Sequence, residues 1–182
     1  GPKGAGALWI PPAATKNRGI APVTLGGGQE GDLRSGTENV PAVAAFAEAV
    51  RLGLASREQN IAHLRDLRVY LIHRLKNTPA LPEVRHNLPP VAAPHIVSLT
   101  MPRIKSETML HFLSSKSIYV SSGSACSSHD RHLSSAMLAF GLTEPEADTT
   151  VRVSFGVQNT RAEIDTFLSV LAEGVTGLIR TR

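Results

Sequence analysis

Short strand-like segments alternate with helix-like segments through the second half of this 182-residue chain, and this alternation constrains its fold more than any other feature. Residues 95–101 (HIVSLTM), 117–122 (SIYVSS) and 150–156 (TVRVSFG) are short and rich in β-branched residues, which indicates strands. Residues 106–116 and 160–179 have helical patterns. Because a strand and a helix each bury one side against another layer, the pattern predicts an α/β fold with these strands in one sheet.

A long helical region precedes these strands. Pro41 fits the first turn of a helix, and helical spacing of apolar residues continues to about Lys76, with a kink or division expected near Gly53. Upstream, residues 6–10 (GALWI) read as a short buried strand that ends at two prolines, and residues 11–23 read as a loop.

Capping residues set the expected limits of the later helices. Thr160 and Glu163 have the spacing of a capping box at the start of the last helix, which carries an apolar stripe at Ile164, Phe167, Leu168 and Leu171. Ser106 is expected to cap the middle helix, and Gly141 is expected to close a short helix over residues 134–142.

Composition excludes several classes of function. One cysteine permits neither an intrachain disulfide nor a cysteine-based metal site, and it fits a reducing compartment, so we expect a cytoplasmic protein. No apolar run of about 18 residues is present, so no membrane partner is predicted. The net charge is +4, but the basic residues are scattered and aromatic residues are only 4%, so we expect a solvated helical face rather than a nucleic-acid site.

The one cysteine, Cys126, lies in an unusual setting. Residues 121–128 (SSGSACSS) contain only serine, glycine and alanine around it. A structural cysteine usually packs among aliphatic residues, whereas small polar neighbours allow a sulfur to be exposed and mobile. The alternatives are a reactive thiol on a moving loop and a buried, inert thiol.

Two further residues have side chains suited to anions. Arg152, in the strand-like segment TVRVSFG, can hold a carboxylate through two parallel hydrogen bonds; the alternative is an arginine with an ordinary surface partner. Thr37 ends LRSGT (residues 33–37), after a glycine-rich stretch and just before a helix. A hydroxyl beside free backbone N–H groups suits a phosphate, and the alternative is a plain helix cap.

Four stretches in this order carry a family resemblance: GPKGAGALWI (1–10), GGGQEGDLRSGTENVP (26–41), SSGSACSS (121–128) and VRVSFG (151–156). Together they resemble the cysteine desulfurases, which belong to the class-V aminotransferase group of fold-type I pyridoxal-phosphate enzymes. The resemblance covers essentially the whole chain.

The resemblance implies an activity and a role for each of the three residues. L-cysteine would be converted to L-alanine, and its sulfur would pass to Cys126 as a persulfide for transfer to an acceptor protein, in iron–sulfur cluster assembly or other sulfur biosynthesis. Arg152 would hold the α-carboxylate of the substrate. Thr37 would bind the phosphate of the pyridoxal phosphate held by the neighbouring subunit of a homodimer.

The resemblance also implies a domain organisation. Residues 1–40 would be the end of the cofactor-binding large domain, residues 41–78 a connecting helix, and residues 79–182 a small α/β domain carrying the cysteine loop. The Schiff-base lysine of the family would lie upstream of Gly1, and Lys3 is not that residue. The chain is therefore expected to be the C-terminal portion of the enzyme and to be inactive by itself.

Two alternatives remain open from the sequence. A selenocysteine lyase would use the same cysteine, cofactor and arginine. A noncatalytic binding module would explain the absent lysine but not the presence of Cys126, Thr37 and Arg152. His129 and His132 are interpreted as solvated loop histidines, because a His-x-x-His pair alone is not a metal site, and no metal is predicted.

Overall fold

In the computed structural model of the protein, residues 3–16, 19–101, 103–122, 137 and 139–178 are described. The chain divides into two units, Gly1–Arg57 and Glu58–Arg182. No helix in the described ranges is both long and apolar enough to cross a lipid bilayer.

The first unit contains two helices, α1 (Pro12–Lys16) and α2 (Val40–Ala55). The predicted start of α2 is confirmed: proline occupies its first turn, and the side chain of Asn39 accepts a hydrogen bond from the Ala42 N–H at 3.2 Å. None of the residues of α2 is buried. Within the described residues, the apolar side chains of α2 therefore contribute little hydrophobic stabilisation.

The predicted strand over residues 6–10 is wrong. This segment is irregular, with Leu8 80% and Trp9 81% exposed. A strand is stable only when a neighbour pairs with it, and no strand of this unit pairs with it in the described ranges. The predicted loop that follows contains the five-residue helix α1, which begins with a proline as first turns often do.

Helix α3 (Arg57–Lys76) begins directly after α2. The break falls at Ser56, whose N–H bonds to the Leu52 and Leu54 carbonyls, so the predicted division near Gly53 is confirmed three residues further on. The buried residues of α3 are Leu67, Leu71 and Leu75, which repeat at the helical spacing of four.

The second unit contains a four-stranded antiparallel sheet. Its strands are β1 (Arg85–Asn87), β2 (Ile96–Thr100), β3 (Ser121–Ser122) and β4 (Thr150–Ser154), in the order β1-β2-β4-β3. The prediction that three strand-like segments share one sheet is confirmed. β3 is shorter than the segment predicted for it.

One face of the sheet packs against three helices: α3, α4 (Ser106–Ser115) and the helix Arg161–Leu178. The sheet contributes Val97, Leu99, Val151 and Val153 to this core, and the helices contribute Leu67, Leu71, Leu75, Met109, Leu113, Ile164, Phe167, Leu168 and Leu171. Burying a side chain of this size stabilises a fold by about 1.5–3 kcal/mol, so this core dominates the stability of the unit. The predicted α/β packing is confirmed.

A polar cluster joins α3 to the C-terminal helix outside the core. The Tyr70 hydroxyl donates to Asp165 Oδ2 at 2.9 Å, and Arg74 Nη1 lies 2.9 Å from Asp165 Oδ1. The Arg161 guanidinium lies 5.0 Å from the centre of the Tyr70 ring and forms an ion pair with Asp66. These contacts fix the two helices side by side, although exposed ion pairs each contribute only ~0–1 kcal/mol.

A short helix, α5 (Glu144–Asp148), precedes β4 in the chain. The C-terminal helix, Arg161–Leu178, is therefore named α6. α5 begins with a capping box in which Thr143 N and Oγ1 both donate to Glu146 Oε2 at 2.9 Å. The Thr150 hydroxyl donates to the Glu146 backbone carbonyl at 2.7 Å, which fixes α5 against the start of β4. Neither α5 nor β1 was predicted from the sequence.

The predicted caps have different outcomes. The capping box of α6 is confirmed, because Thr160 N donates to Glu163 Oε2 at 2.7 Å and Glu163 N donates to Thr160 Oγ1 at 3.3 Å. The cap predicted at Ser106 is wrong, since Lys105 holds that position and Ser106 is the buried first residue of α4. Gly141 has φ +73°, as a helix-closing glycine does, but most of residues 134–138 lie outside the described residues.

The close approach of α6 to α4 at Gly174 can be tested with a matched pair of glycines. A Cβ at Gly174 would lie 2.8 Å from Phe112 Cδ1 and 3.0 Å from Met109 Cε, whereas a Cβ at Gly177 would meet no atom within 4 Å. We expect Gly177→Ala to raise the free energy of unfolding by up to about 1 kcal/mol through helix propensity. The free energy of unfolding of Gly174→Ala should be ~1–3 kcal/mol lower than that of Gly177→Ala, because the added methyl group crowds the packed contact with Phe112 and Met109. Equal urea midpoints for the two variants would contradict this packing.

The cap of α5 should give a pH-dependent stability. The hydrogen bond from the Thr143 N–H, followed by bonds from Arg85 and the Thr143 hydroxyl, lowers the pKa of Glu146 from its ordinary 4.5 to about 2. A lowered folded-state pKa stabilises the fold above the ordinary pKa, and this contribution is lost as the pH falls towards the folded value. Glu146→Gln should therefore be less stable than the wild type at pH 7, and the difference should shrink between pH 4.5 and pH 2.

Glu144→Gln, a change in the same turn of α5, provides the control. Urea unfolding across this pH range measures both variants. A pH-independent difference between the wild type and Glu146→Gln would show that the carboxylate does not act as described.

Candidate functional site

Arg152 lies at the centre of β4 on the face of the sheet opposite the core. Successive residues of a strand point to opposite faces, and the buried Val151 and Val153 on either side of Arg152 point into the core. The register places Arg152 opposite Ser98 of β2 and opposite Ser121 of β3. We call this side the outer face; it carries Asn87, Ser98, Thr100, Ser121, Thr150, Arg152 and Ser154.

The Arg152 side chain is exposed, and within the described ranges no hydrogen bond or ion pair engages it. This distinguishes it from described arginines that pair with carboxylates, such as Arg51, Arg74, Arg85, Arg103 and Arg161. A guanidinium has five N–H donors and no acceptor. Its position beside two serines therefore suits a carboxylate that enters from outside the described chain.

A row of hydrogen-bonded side chains crosses the outer face next to Arg152. Asn87 Nδ2 donates to Thr100 Oγ1 at 2.8 Å and to Ser98 Oγ at 3.2 Å. Thr100 and Thr150 hydroxyls are 2.8 Å apart, and both residues are buried. Together with the bond from Thr150 to α5, this row holds one end of the outer face rigidly, and Arg152 lies where the row ends.

Thr37 lies in the glycine-rich segment of the first unit. Asn39, not Thr37, caps α2, so the interpretation of Thr37 as a plain helix cap is wrong. The backbone before it is fixed: Gly36 has φ +113°, a value that favours glycine, and its N–H donates to Gln29 Oε1 at 3.0 Å. The Thr37 side chain is exposed, and no hydrogen bond engages it within the described part of this unit. A free hydroxyl on an ordered turn before a helix fits a phosphate contact.

Cys126, His129 and His132 lie outside the described residues. The strand that leads to them is described: β3 ends at Ser122, and its Ser121 pairs with Arg152. The strand that precedes the Cys126 segment in sequence therefore lies beside the unpaired guanidinium. Thr37 belongs to the first unit and Arg152 to the second.

Other candidate sites do not coincide with these residues. A cleft of about 410 Å³ between residues 116–120 and the start of α6 is lined by Ile118, Phe155 and Phe167 but not by Arg152. No group of three His, Cys, Asp or Glu side chains suited to a metal ion occurs in the described ranges. The backbone carbonyl of His95 accepts a hydrogen bond from the Phe155 N–H at 2.8 Å. This bond extends the pairing between β2 and β4 and involves no side-chain chemistry of His95.

Ser98, which lies opposite Arg152, and Asn87, which lies opposite Ser98, were not identified from the sequence. One signal was present: Ser98 and Thr100 are polar residues two positions apart in an otherwise apolar strand, which places them on one face. The position of Ser98 opposite Arg152 depends on the strand register, which local sequence does not specify for strands this short.

The comparisons with known proteins agree with this architecture. The family model described as Aminotransferase class-V matches residues 1–167. A NifS/IcsS protein homolog of Lactobacillus delbrueckii subsp. bulgaricus is 34% identical over 176 residues, which is 95% of this chain and 44% of that protein. Cysteine desulfurase IscS 1 of Archaeoglobus fulgidus is 35% identical over 171 residues, which is 94% of this chain and 43% of that protein.

The solved structure of a NifS-like protein from Rickettsia africae has a TM-score of 0.71 and 31% identity, and the match covers 87% of this chain and 40% of that one. The chain thus spans less than half the length of the relatives it matches. The predicted fold class, that of a fold-type I pyridoxal-phosphate transferase, is confirmed. The family match over residues 1–167 establishes that this chain belongs to the class-V aminotransferases.

Proposed function

We propose that this chain forms part of a cysteine desulfurase that converts L-cysteine to L-alanine and a persulfide on Cys126. The observation that carries the proposal is the unpaired Arg152 on the outer face, beside the strand that leads into the Cys126 segment. Relatives named cysteine desulfurase and matched along most of this chain support it. Since those relatives are more than twice as long, the activity belongs to the full-length protein.

Pyridoxal phosphate is the cofactor of this family. When bound, it supplies the electron sink that permits bonds of an amino acid substrate to break. Thr37 would donate its hydroxyl to the phosphate, and the exposure of that side chain before α2 agrees with such a contact. In the proposed homodimer, that phosphate belongs to the cofactor of the neighbouring subunit.

Arg152 would bind and orient the substrate. Two parallel N–H···O bonds from a guanidinium fix both oxygens of a carboxylate, which sets the direction of the rest of the amino acid. The open position of Arg152 in β4 leaves its donors available for that contact. Holding the reacting atoms in position is a large part of catalysis, so Arg152 would influence the chemical step as well as affinity.

Cys126 would be the nucleophile. Its thiolate attacks the sulfur of the bound cysteine, a sulfur–sulfur bond forms, and the carbon–sulfur bond of the substrate breaks with its electron pair left on the organic fragment. The product sulfur remains on Cys126 as a persulfide. Serine, glycine and alanine around Cys126 give the segment little steric bulk, which suits a carrier that delivers sulfur to an acceptor protein.

Further parts of the proposal follow from this chemistry. Sulfur delivered to an acceptor protein would serve iron–sulfur cluster assembly or other sulfur biosynthesis. A thiol that must stay reduced between cycles suits the cytoplasm. The division into a large-domain portion (1–40), a connecting helix (41–78) and a small domain (79–182) is retained as part of this proposal.

Two substitutions in the full-length protein test the roles of Cys126 and Arg152. Cys126→Ala should abolish sulfide release from L-cysteine while the visible absorption of bound pyridoxal phosphate remains, because the nucleophile is lost and the cofactor contacts are not. Arg152→Ala should lower kcat/KM about thirty- to a thousandfold, since a charge-assisted bidentate contact is worth ~2–4 kcal/mol.

Arg65→Ala provides the control for the arginine substitution, because Arg65 is exposed on α3, and α3 packs against the core face of the sheet, opposite the outer face. Its kcat/KM should equal that of the wild type. Sulfide release by Cys126→Ala at the wild-type rate would exclude Cys126 as the sulfur carrier. Preference for L-selenocysteine over L-cysteine in the same assay would favour a selenocysteine lyase instead.

A further inference from the structure

The hydrogen bonds across the outer face have a fixed direction that starts at α5. The Thr150 hydroxyl donates to the backbone carbonyl of Glu146 at 2.7 Å, and a carbonyl can only accept. A hydroxyl has one proton, so Thr150 cannot also donate to Thr100. In the 2.8 Å contact between the two threonine hydroxyls, Thr100 is therefore the donor.

The same reasoning fixes Asn87. Thr100 has committed its proton to Thr150, so it accepts the 2.8 Å hydrogen bond from Asn87 Nδ2. The amide nitrogen of Asn87 must then face the sheet hydroxyls, and its second hydrogen lies towards Ser98 Oγ at 3.2 Å. Ser98 accepts in this contact, and no acceptor for its own proton occurs among the described residues.

Ser98 thus brings an uncommitted donor next to Arg152. The two residues are directly opposite in the register of β2 and β4, and side chains at such positions are neighbours on one face. Ser98 is only 6% exposed, so its hydroxyl lies at the base of the outer face, while the Arg152 side chain is exposed above the same face. Neither side chain contacts a carboxylate in the described ranges.

From this arrangement we propose that Ser98 donates a hydrogen bond to the same substrate carboxylate that Arg152 binds, and that Asn87 is a positioning residue that keeps the Ser98 proton directed outward. This inference rests on the proposed function, and it adds a second donor and a supporting residue to that site. Two adjacent donors of different kinds suit a carboxylate, which has two oxygens and about four acceptor positions.

Ser98→Ala in the full-length protein tests the direct contact. We expect KM for L-cysteine to rise about tenfold to a hundredfold with a much smaller change in kcat, because a hydrogen bond to a charged group is lost from ground state and transition state alike. Inhibition by cysteamine, which has the amine and thiol of cysteine but no carboxylate, should be unchanged. Binding of L-alanine, measured by isothermal titration without turnover, should weaken by the same factor as KM.

Ser169→Ala, on the exposed side of α6, is the matched control and should leave all three quantities unchanged. If Ser98→Ala changed the inhibition constant of cysteamine by the same factor as KM, the site would be disturbed generally. The proposed hydrogen bond from Ser98 to the carboxylate would then be wrong. A KM for Ser98→Ala within twofold of the wild type would also exclude that hydrogen bond.

Asn87→Asp tests the positioning role. A carboxylate only accepts, so Ser98 would have to turn its proton towards position 87 and away from the substrate. KM should rise as in Ser98→Ala, and in the Ser98→Ala background the same change should have a much smaller effect. Additive effects would indicate simple charge repulsion and would overturn the role of Asn87.

The two proposals can fail separately. If Arg152→Ala leaves KM and L-alanine binding unchanged, the carboxylate site of the proposed function is wrong, and the inference falls with it. If Arg152→Ala has its expected effect and Ser98→Ala has none, only the inference about Ser98 is wrong.

Discussion

The alternation of buried and exposed residues along β4 is the constraint on which the site depends. Val151 and Val153 are held in the core by three helices, and since neighbouring strand residues face opposite ways, Arg152 must lie on the outer face. A slip of one residue would bury the guanidinium and expose both valines. The hydrophobic core therefore fixes the direction of the guanidinium to which the proposed function assigns the substrate carboxylate.

The outer face is divided into a closed end and an open end. At the closed end, the Thr100 and Thr150 hydroxyls bond to each other, and Thr150 also donates to the Glu146 backbone carbonyl of α5, so both buried hydroxyls are satisfied. At the open end, Arg152 has no partner in the described part of the chain. A hydrogen bond to a charged group contributes more than one between neutral groups, about 1.5–3 kcal/mol against ~1 kcal/mol. The face thus keeps its strongest donor for an incoming ligand.

Much of the fold was predictable because its signals are local. The capping box of Thr160 and Glu163 and the apolar stripe that follows it are read from residues within the same helix. The strand predicted over residues 6–10 is wrong because apolar content alone does not make a strand, which also needs a pairing partner. Strand β1 consists of Arg85, His86 and Asn87. Three polar residues show no alternation of apolar and polar positions from which a strand could be predicted.

The site was predictable in part. Arg152 and Thr37 were identified through motifs, and the exposure of both side chains agrees with binding roles that remain proposals. The roles of Ser98 and Asn87 could not be identified, since Ser98 lies opposite Arg152, and Asn87 opposite Ser98, only through pairing between strands distant in sequence. Cys126 follows the described strand β3, and its role remains a prediction from the sequence and the family.

A crystal structure of the full-length protein with pyridoxal phosphate and L-alanine tests the central claim, that Arg152 holds the substrate carboxylate. We expect both carboxylate oxygens within hydrogen-bond distance of the Arg152 guanidinium, with the Ser98 hydroxyl as a further donor to one of them. A carboxylate bound elsewhere, with Arg152 paired instead to an acidic side chain of the protein, would contradict it.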